Sequence, residues 1–195
     1  MAFPAPYASL KIDKERKIKL EKELKELGAE RITAGIHKEQ GAEMVSPNAR
    51  LIDIAVQNEY GNEWQMPHTV HFEKNGEWYH IKKGTTIKIP ATHFIGRLIQ
   101  NTGYRGGLIT EIQASIHMML APYNGYGFSK KDTAKSVTRE IGRFMVDMIK
   151  SFIDNKEFAN NAELTIKLKG FDKRLYSKGT LYNAIKWRSK KQKSE

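Results

Sequence analysis

The chain has 195 residues, 39% hydrophobic and 28% charged, with no cysteine and a formal net charge of +11. That length suits one ordinary domain with a core, or one domain with extensions, and the missing cysteines exclude disulfides and thiolate metal sites. No run approaches the roughly 18–20 apolar residues of a bilayer span, and the opening MAFPAPYASLKIDKER lacks the charge-then-apolar order of a signal peptide, so no membrane association or export is expected.

The first nine residues, with two prolines, read as an extended arm. Asp13 is placed to cap a helix running to Gly28, with a thin apolar stripe of Leu20, Leu24 and Leu27 among Lys and Glu. A helix this charged buries little, so its stripe is a candidate contact for a neighbour. A strand is expected from Arg31 to Lys38, a loop over QGAEMVSP, and a helix capped by Asn48 with Leu51, Ile52, Ala55 and Val56 inward and Gly61 at its end.

Residues 69–90 carry the clearest β signal. Asn75-Gly76 is a preferred type I′ hairpin dipeptide, and counting outward pairs Phe72 with Tyr79 and Val70 with Ile81 on one face. Glu73 with Trp78 and His71 with His80 fall on the other. TTIKIP is expected to supply a third strand. A short helix over THFIGRLIQ should be broken by Gly103, Gly106 and Gly107, with a second helical pattern over 108–120. Ser129 and Asp132 form a capping box for a long core helix to about Asn155, with Ala134, Val137, Ile141, Phe144, Met148 and Phe152 inward. A short helix over 160–169 and a mixture of turn, helical turn and strand over 169–187 complete the chain. The expected class is α+β: a small antiparallel sheet with a long hairpin packed against a long core helix, plus an N-terminal helix and extended termini. In domain terms, 1–28 is an arm and charged helix, 29–188 the α+β domain and 189–195 a basic tail.

The chemistry-bearing residues form no catalytic pattern. Of the six histidines, His68 and His71 point to opposite faces of a strand, and His71 with His80 has only Glu73 on the same face, so exposed sheet residues are expected rather than a metal centre. No nucleophile elbow occurs, and SKGT at 177–180 reverses the Gly-Lys order of a phosphate loop. Neither an enzyme nor a cofactor is expected. Charge offers the stronger lead: residues 160–195 hold ten Lys or Arg against Glu163, Asp172 and Glu195, a net of +7. Lys186, Arg188, Lys190, Lys191 and Lys193, interleaved with aromatics upstream, are candidates for contact with DNA. The competing expectation is a terminal strand that seats Leu181, Ile185 and Trp187, with a non-specific cationic end. Removal of residues 186–195 is expected to leave folding intact.

Three segments, in order, resemble the virion-morphogenesis proteins of tailed bacteriophages, the neck and tail-completion proteins that join head to tail. Their N-E-[FY]-G step is matched by Asn58-Glu59-Tyr60-Gly61, and their I-P-x-R-x-F step by Ile89-Pro90-Ala91-Thr92-His93-Phe94, with Thr92 in place of Arg. Their closing K-G-x-D-x-P-L-x-D-T-G-x-L-x-x-S-I step keeps Lys169, Gly170, Asp172, Leu175, Gly179, Leu181 and Ile185, but has Arg174 for Pro, Ser177 for Asp, Lys178 for Thr and Ala184 for Ser. The resemblance spans residues 50–188. It implies a non-enzymatic α+β subunit of a ring, commonly sixfold, in the virion neck after synthesis in the host cytoplasm. The implied neighbours are a head-side connector or portal adaptor, a tail terminator or tube protein, and packaged DNA in the lumen. Phe72, Asn75, Gly76, Trp78 and Tyr79 of the hairpin, with Leu20 and Leu24, are the candidate interface residues. A non-enzymatic nucleic-acid-binding protein is the alternative.

Overall fold

The computed structural model describes residues 14–47, 49–74, 76–120, 133–155, 158, 165–167, 175 and 179–191. The class is α+β, with long helices and two-stranded antiparallel sheets. In chain order the elements are α1 (Lys14–Gly28), β1 (Glu30–Gly35), α2 (Lys38–Gly41), β2 (Met44–Ser46), β3 (Ala49–Arg50), α3 (Leu51–Tyr60), β4 (Asn62–Gln65), β5 (Val70–Lys74), β6 (Glu77–Ile81), β7 (Thr86–Ile89), α4 (Phe94–Gln100), α5 (Thr102–Leu120), α6 (Ala134–Asp154), α7 (Thr180–Ala184) and β8 (Lys186–Lys191). The strands pair as β1 with β8, β2 with β3, β4 with β7 and β5 with β6.

The chain groups into two compact units, one drawn from 1–33, 106–144 and 188–195, the other from 34–105 and 145–187. In the first, Met119, Ala134, Val137 and Ile141 are buried with Ser115 and Thr138. Thr138 satisfies its hydroxyl by donating to the Ala134 carbonyl at 2.9 Å. The start of α6 is held by α1, where a Glu23 carboxylate oxygen accepts from the Ala134 N–H at 2.7 Å. A carboxylate there meets both an orphan donor and the positive end of the helix dipole. Leu20 of α1 is half-buried and Leu24 is exposed.

In the second unit, Leu51 and Ala55 of α3, Phe94 and Leu98 of α4, and Val146, Ile149, Phe152 and Ile153 of α6 share one core with Leu175, Leu181, Ala184 and Ile185. Burying each large side chain stabilises by about 1.5–3 kcal/mol. Phe152 lies edge-on to both Tyr104 and Phe158, with centroids 5.5 Å away in each case. The C-terminal segment therefore closes this core, as its apolar positions suggest. Gly179, at φ +73, begins the turn into α7, and Trp187 packs against the cluster. Gly170, Asp172 and Lys193 lie outside the described residues, as do Asp13, Asn48, Asn75, and the Ser129–Asp132 box.

Several expectations are corrected. Helix α3 begins at Leu51, and Arg50 precedes it in extended conformation. The Asp53 carboxylate accepts from the Arg50 backbone N–H at 3.2 Å and from its guanidinium at 2.9 and 2.8 Å. Val56 is 48% exposed, because the inward stripe of α3 runs through Leu51 and Ala55. The loop expected over QGAEMVSP holds the end of α2 and β2, which pairs with β3 just beyond it. Gly103, Gly106 and Gly107 lie inside α5, which Asn101 starts by accepting the Gly103 and Tyr104 N–H groups on its side-chain oxygen. Most of 160–169 is outside the described residues, with one helical turn at 165–167. Residues 189–191, expected to open a basic tail, continue β8. Removing 186–195 thus takes away the partner of β1 and the packed Trp187, and folding would not survive unchanged.

The Arg50–Asp53 pair makes a direct prediction. Its hydrogen bonds hold the Asp53 carboxyl below the ordinary 3.8. A carboxyl lowered in the folded state adds stability that is complete above its unfolded value and is lost as pH falls through the lowered one. In Arg50→Ala the Asp53 carboxyl should titrate back toward 3.8, as followed by carbon-detected NMR. An unshifted titration would show that the pair does not form in solution.

Candidate functional site

The expected hairpin forms in the register read from its turn: Val70↔Ile81, His71↔His80, Phe72↔Tyr79, Glu73↔Trp78 and Lys74↔Glu77. TTIKIP supplies β7, but its partner is β4 and not the hairpin: Asn62↔Ile89, Glu63↔Lys88, Trp64↔Ile87 and Gln65↔Thr86. Paired residue numbers have one constant sum in both ladders, so the two share a single register. Between them the Met66 N–H donates to the Thr85 carbonyl at 3.0 Å, the Gly84 N–H to the Met66 carbonyl at 2.9 Å, and the Lys83 N–H to Thr69 Oγ1 at 3.1 Å. Residues 62–89 are therefore one antiparallel ribbon, interrupted near Pro67 and Gly84, with Gly76 at its tip at φ +78. At about 3.4 Å per residue it is roughly 45 Å long.

The ribbon has two chemically different faces. Cross-strand partners share a face, so Trp64, Met66, Val70 and Phe72 lie with Tyr79, Ile81, Ile87 and Ile89. Burial agrees independently: the seven half-buried residues among the described residues of the ribbon are Met66, Val70, Phe72, Tyr79, Ile81, Ile87 and Ile89, and all occupy this face. Phe72 and Tyr79 stack at 5.3 Å with an interplanar angle of 13°. The other face carries Glu63, Gln65, Thr69, His71, Glu73, Trp78, His80, Lys82, Thr86 and Lys88, all exposed. Lys88 and Glu63 form an ion pair across it at 2.9 Å. No described residue of 62–90 is fully buried, and none belongs to the core cluster of the unit.

Two separated motifs meet at the root of this ribbon. The Asn58 carbonyl accepts from the Thr92 N–H at 2.8 Å and from Thr92 Oγ1 at 2.7 Å, while the Glu59 carbonyl accepts from the His93 N–H at 3.0 Å. The Glu59 carboxylate reaches the start of α4 and accepts from the Ile95 and Gly96 N–H groups, each at 3.0 Å. Asn58 turns its amide back to the Ile54 carbonyl at 2.8 Å. The residue ahead of α4, His93, has φ 50 and makes no side-chain cap, so Glu59 replaces it across a gap of 36 residues. Phe94 is then fixed in the core at 1% exposure, and Tyr60 points outward at 71%. Thr92, where the bacteriophage pattern has Arg, is itself 1% exposed and part of the clamp. This root was missed in the sequence because its donors and acceptors are far apart; Asn58, Glu59, Tyr60, Gly61, Pro90 and Phe94 were visible only as motif letters.

Hydrogen bonds to a charged acceptor contribute about 1.5–3 kcal/mol each, and half-exposure reduces that. Glu59→Ala should accordingly destabilise the unit by about 2 kcal/mol, and denaturant melting checks it. An unchanged midpoint would show that water caps α4 equally well.

Of the candidate interface residues, Phe72 and Tyr79 lie on the apolar face, Trp78 projects from the opposite face at 74% exposure, and Gly76 forms the tip. Leu20 and Leu24 belong to the other unit. Lys186, Lys190 and Lys191 are exposed along β8, and Arg188 is half-buried. Among the described residues no three His, Cys, Asp or Glu side chains gather to hold a metal, and no helix is long and apolar enough to cross a membrane.

The fold and site thus define an α+β protein with a rooted, two-faced β-ribbon. Comparison with protein families, with curated proteins and with solved structures finds no match.

Proposed function

We propose that the chain is a structural subunit of the tailed-bacteriophage neck, a tail-completion or head–tail connector protein that assembles as a ring. The observation that carries this reading is the ribbon of residues 62–89, whose two apolar patches, Trp64, Met66, Ile87 and Ile89 at the root and Val70, Phe72, Tyr79 and Ile81 further out, lie outside the core of its own unit. Roughly 45 Å by about 10 Å gives a stripe of about 450 Å², the size of the largest apolar patch on a typical monomeric protein, which is often functional. A connector must bury surface against copies of itself and against two different neighbours, and a ribbon does so without enlarging a core. A ribbon docking on a different surface of the next copy makes a heterologous contact, which closes into a ring when the rotation allows.

The three motifs support the same reading: two of them build the ribbon's root, and Leu175, Leu181 and Ile185 of the third lie in the core of the same unit. The neighbours on this reading are a head-side connector or portal adaptor and a tail terminator or tube protein, and the site of action is the virion neck. The exposed lysines of β8 favour one other reading, a non-enzymatic nucleic-acid-binding protein. Light scattering with and without duplex DNA, at low and moderate salt, separates the two. A ring-sized oligomer indifferent to DNA is expected. A small species that binds DNA and releases it as salt rises would overturn the neck proposal in favour of the second reading.

A further inference from the structure

The polar face of the ribbon holds a second feature, independent of how the apolar face is used. His71 and His80 are directly opposite each other in the β5–β6 ladder. Their rings meet edge to face with centroids 4.1 Å apart, and the two Nδ1 atoms are 2.8 Å apart. One Nδ1 must carry a proton and the other a lone pair for that contact to be a hydrogen bond. Two imidazole nitrogens are thus converged by the backbone register, on rigid strands, with both side chains exposed to solvent.

We infer that His71 and His80 form a two-nitrogen chelate for a divalent transition metal ion that prefers tetragonal geometry, Cu²⁺ or Ni²⁺. The spacing carries this choice. At a metal–nitrogen distance of about 2.05 Å, two ligands at right angles have nitrogens about 2.9 Å apart, whereas two tetrahedral ligands need about 3.3 Å. The hydrogen-bonded separation of 2.8 Å is closer to the right-angled bite, so once the rings turn it opens less for Cu²⁺ or Ni²⁺ than for Zn²⁺. On binding, the proton shared between the Nδ1 atoms moves to Nε2 of its own ring, and both Nδ1 lone pairs turn to the metal. No third His, Cys, Asp or Glu joins the pair among the described residues, so water or a neighbouring molecule supplies the remaining ligands. Glu73 is on the same face opposite Trp78, as expected, but does not gather with the two histidines into a set of three.

Trp78 is on this face, two residues from His80 and 74% exposed, which gives a reporter, because Cu²⁺ quenches nearby indole fluorescence. The full chain is titrated with Cu²⁺, Ni²⁺ and Zn²⁺ separately, by fluorescence and by calorimetry, beside His71→Asn, His80→Asn and His68→Asn. One equivalent of Cu²⁺ or Ni²⁺ should bind, with Trp78→Phe removing most of the Cu²⁺ quenching. Losing either histidine turns a chelate into a single ligand, so each of the first two variants should weaken binding about tenfold or more, and His68→Asn should not. All three variants alter exposed side chains, and circular dichroism checks that each folds. Unchanged affinity in both His71→Asn and His80→Asn, or no binding by the parent chain, overturns the site. Zn²⁺ binding as tight as Ni²⁺ overturns the tetragonal assignment.

Discussion

Gly61→Ala is expected to destabilise the second unit by about 3 kcal/mol and to lower its melting temperature by roughly 6–12 °C. Gly61 joins α3 to β4 at φ +78, and a Cβ built there would lie 2.9 Å from the Ala91 nitrogen and 3.0 Å from the Ile89 carbonyl oxygen. Both are backbone atoms held by the β4–β7 ladder and the Asn58–Thr92 clamp, so neither can yield without opening the root. At φ +78 and ψ 169 Gly61 occupies a region that is essentially glycine's alone, which costs a side chain about 1–3 kcal/mol, and the overlap adds the rest. Gly76 supplies the control. It has the same φ, +78, but nothing lies within 4 Å of its added Cβ. Gly76→Ala should therefore cost only the conformational part, about 1 kcal/mol. Differential scanning calorimetry of the two variants compares them directly; equal losses would mean that the contact at Ala91 relaxes, and that the root is softer than its hydrogen bonds imply.

This contrast also marks what the sequence makes legible. The hairpin register was readable because Asn75-Gly76 fixes it locally, and every pair counts outward from that turn. The amphipathic core helix was readable because Ala134, Val137, Ile141 and Phe152 repeat at helical spacing over 21 residues. The partner of β7 was not readable. NEWQ has little intrinsic strand preference, and it pairs with TIKI because the chain is already committed to the register of the inner hairpin. Nor could Glu59 be recognised as the cap of α4, since local capping rules look within a turn and its donors are 36 and 37 residues on. The glycines of α5 misled for the opposite reason. A weak local preference was overridden, with Gly107 packed 3.8 Å from the Phe144 ring as tertiary context for the helix. The basic end looked like a tail because charge dominates its composition, yet β1 pairs with it and Trp187 seats it on the core. In each case the local signal was read correctly, and long-range pairing decided the outcome. The interface candidates divide along the same line: Phe72 and Tyr79 follow from strand alternation, whereas the extension of their face through Trp64, Met66, Ile87 and Ile89 needed the β4–β7 pairing.

Excising the outer ribbon should abolish assembly while leaving the fold almost unchanged. Met66 and Thr85 lie opposite each other, the Met66 N–H donating to the Thr85 carbonyl at 3.0 Å, as Lys74 and Glu77 are partners at the native tip. Replacing residues 67–84 by Asn-Gly thus closes the two strands between Met66 and Thr85 with the two-residue turn that the hairpin already uses, and keeps the root of Gly61, Asn58 and Thr92 intact. The described residues removed include none that is fully buried and none in the core cluster, so the melting temperature should move by no more than about 2–4 °C, the shift expected for about 1 kcal/mol. Their loss removes Val70, Phe72, Tyr79 and Ile81, the outer half of the apolar stripe. Such a stripe docked on a different surface of the next copy would bury about 900 Å² in total, below the roughly 1,200–2,000 Å² of a stable interface, so each contact must also recruit other surface. Ile18 and Leu24 on α1, 59% and 42% exposed, are suited to that. On the proposed reading, an interface this lean should not survive the loss of half its apolar stripe, and the excised chain is expected to run as a monomer where the full chain is expected to form rings. The two readouts discriminate sharply. Retained assembly would place the subunit contact elsewhere on the molecule. A drop in melting temperature as large as that of Gly61→Ala would instead assign the apolar face to the protein's own interior, and the ribbon would no longer be the arm that reaches a neighbouring copy.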